Sequence, residues 1–249
     1  MILRELLAEL RHTILRDFSS AVDASPSEGA NFDDNTLVRY IREAELRFAT
    51  KTRCLRDSTT PAICQITMVA GQAEYPLDSR VMTVHHARYD GRINLGPIGY
   101  TNEFTPRGDL APSAPTAYAS TQGEPRFFYT DSGSGKIGFY PAPSTQDAGK
   151  IVTLTVTRKP LVPLSTQNLD QSPEIPEEYH LDLLGWAAWK LLSTDDTEYN
   201  GDPNSISVIM ARQNMFKKQF NDAVDECKTQ VRRLTQRPVA FATPGANWS

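Results

Sequence analysis

Cysteine, histidine and long apolar runs are all scarce in this 249-residue chain. The three cysteines, Cys54, Cys64 and Cys227, cannot all pair, and none sits in a CxxC. A disulfide framework is excluded, and the thiols read as the reduced cysteines of a cytosolic-type protein. The histidines are His12, His85, His86 and His180, and only the adjacent pair is clustered. Neighbours on a regular strand point to opposite faces, so His85 and His86 cannot chelate one ion from such a strand. His180, beside Glu177, Glu178 and Asp182, belongs to a helix start rather than to an acid–base site. The longest strongly apolar run, 183–189, is seven residues, whereas a bilayer span needs about 20. The opening MILRELL carries charges in its first turns and does not read as an apolar-cored secretory signal.

Catalytic signatures are missing as well. No GxSxG elbow, GxxxxGK[ST] phosphate loop or HExxH occurs. GSGKIG at 133–138 matches GxGxxG by letter, but FYPAP follows it and cannot open the helix that a pyrophosphate site requires. A turn is the expected reading. Scattered carboxylates select no acid–base pair, so no catalytic residue, cofactor or metal is assigned and the chain reads as a non-enzyme. Thirty acidic and 26 basic residues give a formal charge of −4, which argues against a generally cationic nucleic-acid binder.

What is present is an uneven distribution of helix breakers. Twelve of 17 prolines and 10 of 14 glycines lie between Pro61 and Ile175. The middle should therefore be strands and loops, and the flanks helical. In the N-terminal flank Leu3, Leu6, Leu7, Leu10, Ile14 and Phe18 form one helical stripe. After a break at 25–29, Asp33 or Asp34 can cap a second helix with the stripe Leu37, Tyr40, Ile41, Ala44 and Phe48. Arg39, Arg42, Arg47, Lys51, Arg53 and Arg56 make that region basic, either as a solvated face or as an inter-subunit contact.

In the middle, 63–69 and 81–87 alternate as strands, IVTLTVT at 151–157 is the clearest strand, and 127–129 with 137–140 suggests a hairpin. The stretch 91–122 is expected to be a long loop or arm. The C-terminal flank returns to helix, with Pro176 in a first turn and an almost all-round apolar segment from Tyr179 to Leu192 containing Trp186 and Trp189. A long helix is expected from about Ser205 to Leu234, with Ile206, Ile209, Phe216, Phe220, Val224, Cys227, Val231 and Leu234 on its stripe. At about 45 Å it would span a subunit or pack along a neighbour.

The final thirteen residues, 237–249, hold two prolines and the apolar residues Val239, Phe241 and Trp248. They read either as a solvated end or as anchors that order on a partner. Charge is polarised: 166–204 is net −8, and 205 onward is net +4. Such a subunit can pair head to tail in a ring, meet a partner of opposite sign, or neutralise itself.

The order of segments carries a resemblance. FDDNTLVRYIREAELRF at 32–48 and TRCLRD at 52–57 come first, then GQAEYPL at 71–77, GEPRFFY at 123–129 and IGFYPAP at 137–143. The strand at 151–157 and RKP at 158–160 follow, then IPEEYH at 175–180 and LGWAAWK at 184–190. This string resembles the head-to-tail adaptor (connector) proteins of tailed bacteriophages, the type with a β-rich insertion in a helical bundle. The resemblance implies an α+β fold: 1–58 and 174–236 as a bundle of two N-terminal and two C-terminal helices, 59–173 as the β-rich insertion, and 237–249 as an extended tail. It also implies a ring of about twelve subunits beneath the portal protein, in the neck or tail of a virion built in the host cytoplasm. The insertion would face a tail nozzle or tail-tube protein, and double-stranded DNA would pass the lumen without specific binding or any membrane.

The tail would dock on the portal through Val239, Phe241 and Trp248, supported by Arg232, Arg233 and Arg237; these are inferred from composition and place. A strongly cationic lumen would retard DNA, so the acidic stretch 166–204 is the candidate wall. A tail-tube or nozzle ring component and a cell-wall hydrolase are the alternative readings.

Overall fold

The structure, a computed structural model, describes residues 1–15, 32–97, 121–131, 135–194 and 203–235. It is α+β, with five α-helices among the described residues. They are α1 (Leu3–Glu9, prolonged by a π-helical turn, Leu10–Leu15), α2 (Asp34–Thr52), α3 (Pro61–Cys64), α4 (Asp182–Thr194) and α5 (Pro203–Thr235). Two compact units divide the chain: Met1–Cys54 with Pro163–Ser249, and Leu55–Val162.

The first unit is helical. Leu3, Leu6, Leu7 and Leu10 are buried, as their spacing requires, whereas Phe18 and the side chain of Ile206 lie outside the described residues. Arg11, on the same turn, is buried because its guanidinium donates to Asp34 Oδ1 at 2.5 Å and to the Phe32 carbonyl at 3.0 Å. Asp33 caps α2, its carboxylate accepting from the Thr36 amide at 3.2 Å. Leu37, Val38, Ile41, Ala44 and Phe48 of α2 are buried, and Tyr40 only partly so.

A 3-10 turn, Glu177–Tyr179, precedes α4, so the helix opens three residues later than Tyr179. Trp186 is buried, Trp189 is half-buried and Leu181 is exposed, which narrows the all-round burial expected of 179–192. The α4–α5 crossing is close at Gly185. A Cβ there would stand 2.8 Å from the Phe216 carbonyl oxygen, so the crossing demands glycine. At about 1.5 Å per residue, the 33 residues of α5 run for about 50 Å. Phe216, Phe220, Val224 and Cys227 are buried along it, and its stripe ends in Leu234 at 85% exposure.

The second unit is built on a curled eight-stranded sheet. Its strands are β1 (Arg56–Asp57), β2 (Gln65–Thr67), β3 (Glu74–Pro76), β4 (Val81–Tyr89), β5 (Ile93–Pro97), β7 (Phe127–Asp131), β8 (Lys136–Tyr140) and β10 (Ile151–Arg158), while β6 (Gln122–Gly123) and β9 (Ala142–Pro143) pair separately. The order is β1-β10-β4-β5-β7-β8-β3, with β2 also on β10; only β5–β7 is parallel within it. The expected strand from Ile63 starts at Gln65 instead, because Pro61 initiates one helical turn that buries Ile63 and Cys64. Part of the expected loop 91–122 is strand β5, and 98–120 lie outside the described residues.

The hairpin of β7 and β8 is present, and Gly138 sits opposite Tyr129, whose ring covers the position a Cβ would occupy. Gly135, at φ 64°, belongs to this turn, so the GxGxxG string ends in a strand and not at a helix; Gly133 lies outside the described residues. On β10, Val152, Leu154 and Val156 are fully buried. The ladder to β4 slips one residue between His86 and Val84, so His85 occupies a bulge, not the regular strand its pattern suggested. His85 Nε2 lies 2.7 Å from Thr157 Oγ1, and His86 is exposed.

Candidate assembly site

The basic residues of α2 divide into two sets. Arg47 and Lys51, themselves exposed, lie over aromatic rings of their own unit, with the Arg47 guanidinium 4.2 Å from the Trp186 centroid and Lys51 Nζ 6.0 Å from that of Phe220. Lys217 of α5 stands 4.6 Å from the Trp189 centroid, and Lys190 of α4 lies 5.6 and 5.3 Å from the two tryptophans. Cation–π attraction and the apolar stems of these residues fasten α2, α4 and α5 along one seam. Partial burial, then the nearby Arg47 and Lys228, lower the pKa of Lys51. Arg39 and Arg42 of α2, and Arg53 at its C-cap, are also exposed; the Arg39 guanidinium stands 4.9 Å from the Tyr40 centroid, and none of the three forms an ion pair with another described residue.

Val208 and Met215, at 66% and 56% exposure, lie on one side of α5, and Met210, at 56%, is exposed about 140° round the helix from Met215. A shallow groove beside Met215 is lined by Asp182, Lys218, Gln219, Asp222 and Glu226. Gln219 Nε2 donates to Asp182 Oδ1 at 3.2 Å, and burial raises the Asp182 pKa. The expected docking residues Arg232 and Arg233 are exposed in the last turn of α5, where the helix dipole favours cations. Arg237, Val239, Phe241 and Trp248 lie outside the described residues.

Sequence reasoning missed three groups in the helical unit. Cys54 and Cys227 are coupled thiols: their interaction lowers the pKa of Cys54 against the opposing effect of burial and raises that of Cys227. Nothing local in the sequence links residues so far apart. Glu45 is 2% exposed, accepts the Glu174 amide at 2.7 Å, and is pushed by burial to about 7. Its signal was available, since 41, 45 and 48 share one helical stripe. Tyr179 Oη and Trp186 Nε1 are buried without a hydrogen-bond partner among the described residues. His180 is buried, its Nε2 lying 3.0 Å from the Ile175 carbonyl oxygen.

Among the described residues no three His, Cys, Asp or Glu side chains converge as metal ligands, and no helix is long and apolar enough to cross a membrane. The arrangement offers charged and apolar surfaces for contact. It is also the setting for the family match: the model described as SU10 adaptor protein covers residues 1–242. The chain belongs to the SU10 adaptor protein family. This is a phage head-to-tail adaptor family, which makes the chain a structural adaptor of the virion neck that meets portal and tail components. No curated protein matches the chain significantly. The SU10 adaptor match includes Arg232, Arg233, Arg237, Val239 and Phe241, and it stops short of Trp248.

Proposed function

We propose that this adaptor assembles as a ring of about twelve copies between portal and tail, leaving a channel through which the genome is packaged, retained and ejected. The helical unit surrounds that channel. The β unit is the insertion that meets the nozzle or tail tube, and the tail from Arg237 docks on the portal through Val239, Phe241 and Trp248. The observation that carries this reading is the end of α5: a 33-residue helix whose last turn exposes Arg232, Arg233 and Leu234 just before the tail. A helix that spends its final turn on exposed cations and an 85% exposed leucine is shaped for a partner rather than for its own core. DNA must slide through the ring, so the remaining acidic residues of 166–204 suit the channel wall, where phosphate would find no fixed counter-charge.

Mass photometry of the protein with the portal protein of the same phage, with and without residues 237–249, tests the reading. A multi-copy increment on the portal that truncation abolishes is the expected result. Portal binding unaffected by truncation would instead favour another ring component further down the tail.

A further inference from the structure

We propose that the exposed face of α2 in one copy seats in the α5 groove of the next copy, and that this contact closes the ring. The inference rests on the ring reading above and names the two surfaces that meet. On α2, Arg39, Arg42 and Leu46 recur at spacings of three and four, so they share one side of the helix, and Arg53 follows as its left-handed C-cap. Leu46, at 44% exposure, is the apolar centre of that cationic side. On α5, Met215 at 56% exposure is the apolar centre of a groove edged by Asp182, Asp222 and Glu226, with Lys218 its one cation. Asp222 and Glu226, like the three arginines, form no ion pair with another described residue. Each surface therefore has an apolar middle, a charged edge and an unmet sign that the other supplies.

The two surfaces also face in different directions. Arg47 of α2 lies over Trp186, and Arg42, five positions earlier, is about 140° round the helix from it. Asn221 of α5 meets Lys51 of α2 with 3.4 Å between Nζ and Oδ1. Glu226, five positions later, is again about 140° away. Both surfaces thus look away from the seam that α2 and α5 share, and one copy cannot satisfy itself. A patch and its complement on different sides of one subunit make a heterologous contact, which propagates head to tail until it closes. A second copy is the occupant favoured by this complementarity, because it brings both signs in equal number.

Charge reversal in full-length protein provides the test. One variant carries R39E with R42E and a second carries D222K with E226K. All four substitutions are on exposed side chains, and circular dichroism and melting checks establish that both variants fold. Mass photometry with the portal protein should show each variant assembling at least roughly tenfold more weakly than wild type, because like charges then meet in every contact. An equimolar mixture of the two should restore assembly, since reversed α2 then faces reversed α5 and the unaltered pair completes an alternating ring. Normal assembly by either variant alone, or no recovery on mixing, would overturn the pairing while leaving the ring intact, and in the latter case the surfaces serve a different protein. Failure of the wild type to assemble in any mixture would overturn the ring reading, and this inference with it.

Discussion

The two units treat their buried carboxylates in opposite ways. In the β unit each buried carboxylate is saturated. Asp57 accepts from the amides and hydroxyls of Thr59 and Thr60, at 2.6–3.2 Å, and from Arg158 Nε at 2.7 Å. Asp147 accepts from Tyr89 Oη, the Ser144 amide and hydroxyl, and Lys150 Nζ, at 2.5–3.2 Å. Burial alone would raise both carboxyls, but these donors outweigh it and hold them well below the usual range. In the helical unit Glu45 has one amide donor against burial, and Tyr179 Oη and Trp186 Nε1 have no partner among the described residues. Sheet edges and turns expose backbone donors and close-set hydroxyls that can converge on one carboxylate. Helix interiors spend their amides on themselves, so a polar atom buried between helices finds few donors.

The largest expected effect breaks the saturated side of this contrast. Asp57→Ala strips partly buried Arg158 of this carboxylate and removes the acceptor shared by Thr59 and Thr60. It should cost roughly 3–5 kcal/mol in denaturant unfolding. Trp186→Ala should cost a similar amount, roughly 3–5 kcal/mol, through the cavity left beside Phe220 and Arg47, whereas half-buried Trp189→Ala should cost less. Equal losses at the two tryptophans would contradict the burial difference between them.

pH sharpens the contrast next. Glu45 titrates near 7 in the folded unit against 4.5 when unfolded, so its protonated form is the one that folding favours. That stability is complete below pH 4.5 and is lost as pH rises through 7, by on the order of 3 kcal/mol. Glu45→Gln should flatten this slope and stabilise the protein at pH 8, as thermal melts at a series of pH values would reveal. The depressed Asp57 and Asp147 act in the other direction: their contribution is present above pH 3.8 and is lost as pH falls below it. Asp147→Asn should blunt that acid loss. The smallest effect is Tyr179→Phe, which removes a hydroxyl without a partner among the described residues and should be neutral or stabilising by about 1 kcal/mol. A clear destabilisation would mean that the hydroxyl has found a partner.

Much of the fold was legible because periodicity is local. The stripe of α2, the strand at 151–158, the β7–β8 hairpin and the long α5 all follow from side-chain spacing. The misreadings also have local causes. Pro61 turned an alternating run into a helical turn, and a bulge at His85 interrupted a regular strand. Of the residues expected to dock, composition and place singled out Arg232 and Arg233, and both are exposed in the last turn of α5. The two faces of the further inference were only half visible, since charge along α2 does not reveal which arginines lie over Trp186 and which remain open.

By itself the sequence determined the elements, the order of segments that marks the adaptor family, and the polarity of charge along the chain. These depend on neighbours a few positions apart. Only the tertiary structure decided that Glu45 meets the Glu174 amide, Cys54 meets Cys227 and Asp57 meets Arg158. Such pairings act through distance in space and exclusion of water, and neither leaves a pattern in residues that stand more than a hundred positions apart.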